Sequence, residues 1–381
     1  MKRCLIFLLL IPLSILAATF SPNVFGRMPL CLLISAVLIS AAYALIVYRL
    51  FAFTESSVDR VCTRGAIYHY RLILSNDTPV FFPHIRVVCS DGCENKRMDM
   101  AVKPHRSETV ETEFRFRHIG RYNVGFQSAQ VYDLLDLFSL PFTNDRHPII
   151  VQPRIDSLEH FLTVRSGEDP KQARPFPSGR GDSENYDGVR PYVSGDSMRR
   201  IHWNLTAHTG NYMSRRVEHT EDFTLGVFID LFPPQAEGEE ALSIFDCLIE
   251  SALAAANYGI SRNGMAKLIL NRGKEILTEP VADFTMLKKA AERLTVYGYD
   301  AVTRMEDLLG EFQCAPQELV NFVVCTSNLD SDLAYCMARL KSFGKNPTLF
   351  YILPRGSDSA ETRKILEYLE NRNVSVQCIF A

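Results

Sequence analysis

Two uncharged apolar runs near the amino terminus limit what this chain can fold into. Residues 4–20 and residues 28–47 contain no charged side chain, and each approaches the roughly 20 residues that an α-helix needs to cross about 30 Å of hydrocarbon. The link between them contains Pro22 and Gly26, which favour a tight loop. The pattern therefore predicts a transmembrane α-helical hairpin over residues 1–53.

Cations at the ends of the two runs predict the orientation. Lys2 and Arg3 precede the first run, Arg27 alone lies in the link, and three more arginines follow the second run. Because cytoplasmic ends carry the excess of lysine and arginine, we expect a multi-pass protein of the cell membrane whose soluble domains are cytoplasmic. The alternative is that the first run, which ends in small residues, is a cleaved signal peptide.

The overall composition excludes several classes of protein. The chain of 381 residues has 41 lysines and arginines against 44 aspartates and glutamates, a formal net charge of −3. No global field attracts nucleic acid, so we expect no nucleic-acid partner. The ten cysteines are irregularly spaced, as buried free thiols are in a reducing compartment. Cys89 and Cys93 form a close pair, but without two further ligands at comparable spacing they do not predict a zinc site.

Residues 54–153 alternate between apolar and polar side chains with a period of two. In residues 109–117, Val110, Thr112, Phe114 and Phe116 fall on one face, with glutamates and arginines on the other. This is the pattern of a half-buried antiparallel strand. Similar runs recur between turn-forming residues, which predicts an antiparallel β-sandwich of immunoglobulin-like type. Such a domain is more often a spacer or a binding surface than an enzyme.

Residues 223–381 alternate between apolar strands and amphipathic helices. The apolar run at residues 224–231 is followed by a helical stripe of apolar residues at 239–258, and this alternation continues to the carboxyl terminus. It predicts a doubly wound α/β domain. Ligands bind such sheets at the carboxyl ends of the strands, which directs attention to Asp230 and to residues 326–328.

Residues 154–222 are rich in proline, glycine and arginine and predict no long regular element. Asp196, after Gly195, has the position of an N-cap for a short helix, and Arg200 is spaced to pair with Asp196. The arginines and histidines of residues 199–216 would suit an anion-binding patch, although pairing with nearby acids is the favoured interpretation. Because long loops are usually functional or docked against a neighbour, we expect this segment to pack on the following domain.

The segment G-V-R-P-Y-x-x-G-D-x-x-x-R-I-H-W at residues 188–203 resembles the signature of the domain-of-unknown-function 58 (DUF58) family. Upstream, H-I-G-R-Y at residues 118–122, D-L-F-S-L at 136–140 and V-Q-P-R at 151–154 resemble further motifs of that family, in the family's order. The resemblance implies a membrane-anchored protein with a β-sandwich, this signature segment and a von Willebrand factor A-like domain, often associated with a MoxR-type AAA+ ATPase. We expect the signature to clamp the domains together and to shape a partner surface. Its candidate interaction residues are Arg190, Tyr192, Gly195, Asp196, Arg200 and Trp203.

The resemblance also implies a metal-ion-dependent adhesion site, formed in von Willebrand factor A domains by D-x-S-x-S after the first strand and a later aspartate. In this chain Phe232 and Pro234 stand where hydroxyl groups are expected, and neither side chain can ligate a cation. The later loop offers polar residues without a carboxylate. We therefore expect a degenerate cation site at Asp230, Thr326 and Asn328, with no cofactor and no bound metal. A retained Mg²⁺ is the alternative.

The sequence contains no P-loop, no H-E-x-x-H motif and no G-x-S-x-G motif. We therefore expect a non-enzymatic, membrane-anchored adaptor or assembly protein, in contact with membrane lipid and with a protein partner, which the resemblance suggests is a MoxR-type AAA+ ATPase. One alternative is cation-dependent adhesion or ligand binding outside the cell. A second is an unrecognised hydrolase that works from residues 190–208, with His202 as its candidate residue.

Overall fold

The protein is described here by a computed structural model. It covers residues 2–20, 24–56, 60–166, 186–192, 201–217, 224–262, 264–273, 275–313, 319–354 and 360–381. These residues form nine helices and seventeen strands. The chain divides into two compact units, which we call the first unit (Met1–Gln152) and the second unit (Pro153–Ala381).

The first unit begins with two apolar helices, α1 (Lys2–Phe20) and α2 (Val24–Leu50). Within the described residues one helix, Arg27–Leu50, is long and apolar enough to cross a membrane. A shorter apolar helical stretch is described at Leu10–Phe20 of α1. The structure therefore supports a single candidate span, and the expected hairpin of two spans is corrected on this point.

Two β-sheets make up the rest of the first unit. A three-stranded antiparallel sheet has the order β1-β3-β6, and a six-stranded sheet has the order β2-β9-β7-β4-β5, with β8 paired to β7. In the second sheet β2 and β9 are parallel. The strands are β1 (Ala52–Ser56), β2 (Val61–Thr63), β3 (Ile67–Asn76), β4 (Phe82–Ser90), β5 (Asn95–Val102), β6 (Arg106–Arg115), β7 (Gly120–Tyr132), β8 (Ser139–Thr143) and β9 (His147–Gln152).

Alternate residues of the two sheets share one hydrophobic core. Val110, Thr112 and Phe114 of β6 are buried, as the period of two predicts, because successive side chains of a strand point to opposite faces. Leu72 and Leu74 of β3 and Phe126 of β7 are buried in the same core as Val110 and Phe114. The first unit thus buries one face of each sheet.

The second unit is an α/β structure around a six-stranded sheet of order β14-β13-β12-β15-β16-β17. All neighbouring pairs are parallel except β13 and β14. The strands of this sheet are β12 (Thr224–Ile229), β13 (Met265–Arg272), β14 (Glu275–Val281), β15 (Asn321–Thr326), β16 (Asn346–Leu353) and β17 (Ser375–Phe380). The helices of this unit are α3 (Leu158–Ser166), α4 (Trp203–Thr209), α5 (Glu239–Ser261), α6 (Phe284–Leu294), α7 (Met305–Gln313), α8 (Ser331–Ser342) and α9 (Ala360–Asn371).

The helices cover the sheet because its strands are apolar on both faces. Phe228 of β12 packs in a core with residues of α7, α8 and α9, while α5 contacts β12, β13, β15 and β16. Within α5 the buried Glu250 accepts a hydrogen bond from the Arg154 backbone N–H at 3.3 Å. Its other carboxylate oxygen lies 3.5 Å from the Arg165 guanidinium, which ties α3 to α5.

The structure adds elements that the sequence pattern does not predict. Helix α3, of nine residues, lies inside the segment for which no long regular element is predicted, and β14 is an antiparallel edge strand on an otherwise parallel sheet. Strands β10 (Tyr186–Pro191) and β11 (Met213–Val217) form a separate antiparallel pair. The signature segment is therefore partly β-structured.

Candidate functional site

The strand order of the second unit creates a crevice between β12 and β15. From β12 the chain continues through β13 and β14 toward one edge of the sheet, whereas β15, β16 and β17 follow one another toward the other edge. At such a reversal the connections diverge and leave an opening at the carboxyl ends of the two strands. Asp230 directly follows β12, and Thr326 is the last residue of β15. Two of the predicted site residues therefore meet at this point.

Hydrogen bonds within the crevice engage both carboxylate oxygens of Asp230. The Phe232 backbone N–H donates to Oδ1 at 3.0 Å, and the Thr326 hydroxyl donates to Oδ2 at 2.5 Å. Asp230 is only 3% exposed. Burial raises its pKa, and the hydrogen bonds from Thr326, Phe232 and Asn328 lower that pKa in part. Asp230 therefore acts first as the hydrogen-bond acceptor that closes its own loop.

Asn328 joins the two loops of the crevice. Its backbone N–H donates to the Thr326 hydroxyl oxygen at 2.9 Å, and its side-chain Nδ2 donates to the Phe232 carbonyl at 3.1 Å. The three residues expected at the degenerate cation site are thus brought together, but their polar groups bond to one another. Beside them the Ser327 hydroxyl is buried with no hydrogen-bond partner in the described part of the chain.

An open cleft of about 1070 Å³ extends from this crevice. Among the described residues, the carboxylates that line it are Asp230, Glu240, Glu306, Asp330, Asp332 and Glu361. The cleft carries these negative charges because helices α5, α7, α8 and α9 begin near the carboxyl ends of the strands, where acids stabilise helix amino termini. Asp330 shows this directly, since its Oδ1 accepts a hydrogen bond from the Leu333 N–H at 2.8 Å.

Arg304 supplies a positive charge to the cleft. Its guanidinium lies 3.2 Å from Asp330 Oδ2 and 3.7 Å from a carboxylate oxygen of Glu306, and it lies 5.7 Å from the centre of the Phe232 ring. Burial raises the pKa of Glu306. Sequence reasoning missed Arg304, Glu306, Asp332 and Glu361. The signal that could have found them is their common position within two residues of the start of a helix.

No group of three or more histidine, cysteine, aspartate or glutamate side chains is arranged to hold a metal within the described residues. Phe232 and Pro234 line the cleft at the positions where the sequence lacks hydroxyl ligands. Cys325 precedes Thr326 and is fully buried. Burial raises the pKa of the Cys325 thiol to about 12, which makes it a poor nucleophile near neutral pH.

The signature segment is described only in part. Gly195, Asp196 and Arg200 lie outside the described residues, so the expected cap at Asp196 and its pair with Arg200 are not located. Arg190 lies in β10, opposite Ser214 of β11.

Tyr192 and Trp203 are both described. The Tyr192 N–H donates to the Tyr212 carbonyl at 2.8 Å, and the two tyrosine rings meet edge to face, with centres 6.3 Å apart. Trp203 begins α4 and is 62% exposed.

His202, the candidate residue of the hydrolase hypothesis, has a structural contact. It is the N-cap of α4, where its Nδ1 accepts a hydrogen bond from the Leu205 N–H at 3.2 Å. Its own backbone N–H donates to the Met213 carbonyl at 2.8 Å. A ring nitrogen that accepts this bond stabilises the helix start.

Comparison with known proteins gives one family match. Residues 188–290 match the family described as "Protein of unknown function DUF58". This confirms the resemblance over the signature segment and the start of the α/β region, whereas the upstream motifs lie outside the matched residues. No curated protein matches the chain.

The likeness to solved structures is weak. A β-glucosidase from Listeria innocua is 15% identical with a TM-score of 0.18, covering 26% of this chain and 16% of its own. Cwp6 from Clostridium difficile is 9% identical with a TM-score of 0.20, covering 87% of this chain and 45% of its own. The chain thus spans less than half the length of these proteins, and TM-scores this low support no argument about fold or activity.

Proposed function

We propose that this chain is a non-enzymatic, membrane-anchored adaptor whose second unit binds a protein partner through the acidic cleft. The observation that carries the proposal is the closed hydrogen bonding of Asp230 beside an open, carboxylate-lined cleft. A carboxylate that already accepts hydrogen bonds from Phe232 and Thr326 is poorly suited to be the principal ligand of a cation. The exposed acids around it offer a surface for a basic segment of a partner.

The finer fold assignments belong to the same proposal. We take the first unit to be an immunoglobulin-like β-sandwich, because its two sheets share one core. We take the second unit to be von Willebrand factor A-like. In support of this, its six strands, renumbered from β12, have the order 3-2-1-4-5-6 with the third strand antiparallel.

We also propose that α2 crosses the membrane and that the β-sheets of the first unit and the whole second unit lie in the cytoplasm. Arg27 is the cation at the amino-terminal end of the candidate span, whereas Arg49, Arg60 and Arg64 follow at its carboxyl-terminal end. Since cytoplasmic flanks carry more lysine and arginine, this imbalance supports a cytoplasmic location for everything after α2.

The DUF58 resemblance makes a MoxR-type AAA+ ATPase the first partner to test. The full-length protein would be tagged, solubilised from native membranes in detergent and isolated with and without ATP and Mg²⁺. We expect mass spectrometry to identify an AAA+ ATPase whose recovery depends on nucleotide. Recovery of envelope proteins in its place would favour the adhesion alternative.

Matched variants connect that result to the cleft. Asp332→Asn and Glu361→Gln each remove one exposed charge from the cleft lining, and we expect each to reduce recovery of the partner. Glu367→Gln removes an exposed charge from α9 outside the cleft lining and should leave recovery unchanged. Equal recovery with all three variants would refute the role of the cleft.

Calorimetric titration of the full-length protein with Mg²⁺ separates the adaptor from the adhesion alternative. We expect no stoichiometric heat, since Arg304 already supplies positive charge beside Asp330 and Glu306. Tight Mg²⁺ binding that Asp230→Asn abolishes would favour cation-dependent ligand binding.

A further inference from the structure

The carboxyl-terminal half of α2 packs with one face on the β-structure of the first unit, where it contacts β7 and β8. Ser40, Ala44 and Val47 lie on that face and are almost completely buried, with the i, i+4, i+7 spacing of one helical stripe. Leu45 and Ile46 occupy other faces of the same turns and are exposed. This part of α2 therefore presents protein-facing and apolar outward-facing sides at the same level along its axis.

The length of α2 sets where its docked part lies in a bilayer. Residues Arg27 and Ser40 are about 20 Å apart along the helix at 1.5 Å per residue, whereas the hydrocarbon is about 30 Å thick. A span that starts at Arg27 reaches the far boundary of the hydrocarbon near Val47. Any part of the protein bonded to Ser40 then lies about 10 Å inside that boundary.

The loop between β7 and β8 is hydrogen-bonded to Ser40 and therefore lies at that level of α2. The Ser40 hydroxyl donates to Asp133 Oδ2 at 2.6 Å. Asp133 Oδ1 also accepts from the backbone N–H groups of Leu137 at 2.6 Å and Phe138 at 2.8 Å. The Leu135 N–H donates to the Ser40 hydroxyl oxygen at 3.3 Å. Backbone donors that are satisfied internally are what a loop requires in a medium poor in water.

The outward side of this loop is apolar. Leu134 is 45% exposed and Phe138 is 48% exposed. The neighbouring loop between β3 and β4 presents Phe81, which is 41% exposed, and the Tyr43 hydroxyl donates to the Phe81 carbonyl. Since Ser40 and Tyr43 are one turn apart, both loops are tied to the same level of α2.

The β7–β8 loop contains two carboxylates, Asp133 and Asp136, and both have partners. Asp136 Oδ1 lies 2.9 Å from Nδ1 of His84, and the His84 ring stacks on Tyr132 with centres 4.3 Å apart. Pairing lowers the cost of holding this carboxylate near the hydrocarbon.

We propose that Phe81, Leu134 and Phe138 are immersed in the lipid of the membrane that α2 crosses. The β-sheets of the first unit are then held at the bilayer surface by these side chains as well as by the helix. The ligand is the boundary between the lipid headgroups and acyl chains next to α2. This inference rests on the proposal that α2 spans the membrane. It fits the exposed apolar side chains of α2 at the same level, which continue past Ser40 to Ile46.

Tryptophan fluorescence can measure this immersion because the chain has a single tryptophan, Trp203. In a full-length Trp203→Phe background, Phe138→Trp would be reconstituted into phosphatidylcholine vesicles with or without bromine on the acyl chains. Ile67→Trp is the matched control, because Ile67 is exposed and lies at the first residue of β3. It is about 30 Å from Asn76, the last residue of β3, which is followed by the loop that contains Phe81. Leu38→Trp, at an exposed position in α2, reports membrane insertion of the helix itself.

We expect brominated lipid to quench Phe138→Trp and Leu38→Trp but to leave Ile67→Trp unaffected, with blue-shifted emission for the first two. If Leu38→Trp is quenched and Phe138→Trp matches Ile67→Trp, the immersion of the loop is refuted while the span stands. If Leu38→Trp is not quenched, the spanning helix is refuted and the immersion of the loops with it. Blue-shifted but unquenched Phe138→Trp would show that protein covers the loop, which also refutes the proposal.

Discussion

Replacing Asp230 tests whether its role is to accept hydrogen bonds or to carry charge. Asp230→Ala removes the acceptor for the Phe232 N–H and for the Thr326 hydroxyl in a site almost closed to water. The hydroxyl can rotate toward the Asn328 carbonyl, 3.2 Å away, whereas the Phe232 N–H loses its partner. A buried donor without an acceptor costs about 1–3 kcal/mol, so we expect the second unit to lose about that much stability.

Asp230→Asn should behave differently. The amide oxygen can accept from Phe232, and the amide nitrogen can donate to the Thr326 hydroxyl oxygen, which then donates to the Asn328 carbonyl. The substitution also removes a charge that burial disfavours. We therefore expect the free energy of unfolding near neutral pH to change by less than about 1 kcal/mol.

The raised pKa of Asp230 adds a pH dependence with a defined sign. The folded state binds this proton more tightly than the unfolded state does. The contribution to stability therefore grows as the pH falls from neutral through the folded-state pKa, and it becomes constant below the unfolded-state pKa. The Asp230→Asn variant lacks this gain, so the difference between the two proteins should widen on acidification.

Scanning calorimetry of the full-length protein in detergent measures both effects. For a unit of about this size, 1 kcal/mol shifts the unfolding midpoint by about 2–4 °C. An equal lowering of the midpoint by Asp230→Asn and Asp230→Ala would contradict the hydrogen-bonding role of Asp230. That result would mean that the carboxylate charge, rather than its hydrogen bonding, holds the crevice together.

Two further predictions concern the first unit. Ser40→Ala removes the 2.6 Å hydrogen bond to Asp133. Because a hydrogen bond to a charged group is worth about 1.5–3 kcal/mol, we expect calorimetry to show a lower unfolding midpoint. The control is Ser35→Ala, whose exposed hydroxyl bonds only within α2 in the described structure and which should leave the midpoint unchanged. Burial raises the pKa of the Cys89 thiol to about 12, so at pH 8 only about one such thiol in ten thousand is ionised. We expect Cys89 to resist alkylation while the exposed Cys93 reacts. Mass spectrometry distinguishes the two residues, and equal labelling would contradict the burial of Cys89.

The parts of the fold that the sequence predicts are those with strong periodicity. The helix α6 (Phe284–Leu294) and the strand β17 (Ser375–Phe380) lie in the region where the alternation of strands and amphipathic helices is predicted to continue, because each pattern matches the period of its element. The alternation in β6 is confirmed by its buried residues. Local pattern suffices where one face of an element meets a core.

Sequence pattern fails where an element has little apolar periodicity. The edge strand β14 is mostly exposed and contains Pro280, which is tolerated at edges but weakens a strand prediction. Helix α3 is short, and the ion pair of Arg165 with Glu250 links it to α5 across a long separation in sequence. Neither feature leaves a local signal.

The candidate site was predictable in position but not in chemistry. The rule that ligands bind where the connections of an α/β sheet diverge points to Asp230 and Thr326, and the structure brings these two residues together. It does not reveal that their polar groups bond to each other, because the distance between residues 96 positions apart depends on the completed sheet. Arg304 is likewise 26 residues from Asp330 in sequence, and only the folded chain brings them together.

The membrane segment shows the same limit most clearly. A hydropathy pattern treats every apolar residue of α2 as facing lipid, yet Ala44 and Val47 are buried against protein. The part of the candidate span before the docking contact runs from Arg27 to Ile39, and its 13 residues reach only about 20 Å. Under the proposal that α2 spans the membrane, the remaining thickness of the hydrocarbon is matched by the docked half of α2 and by the loops hydrogen-bonded to it. The proposal therefore makes the apolar side chains of Leu134 and Phe138 the surfaces that set how deep the first unit lies in the membrane.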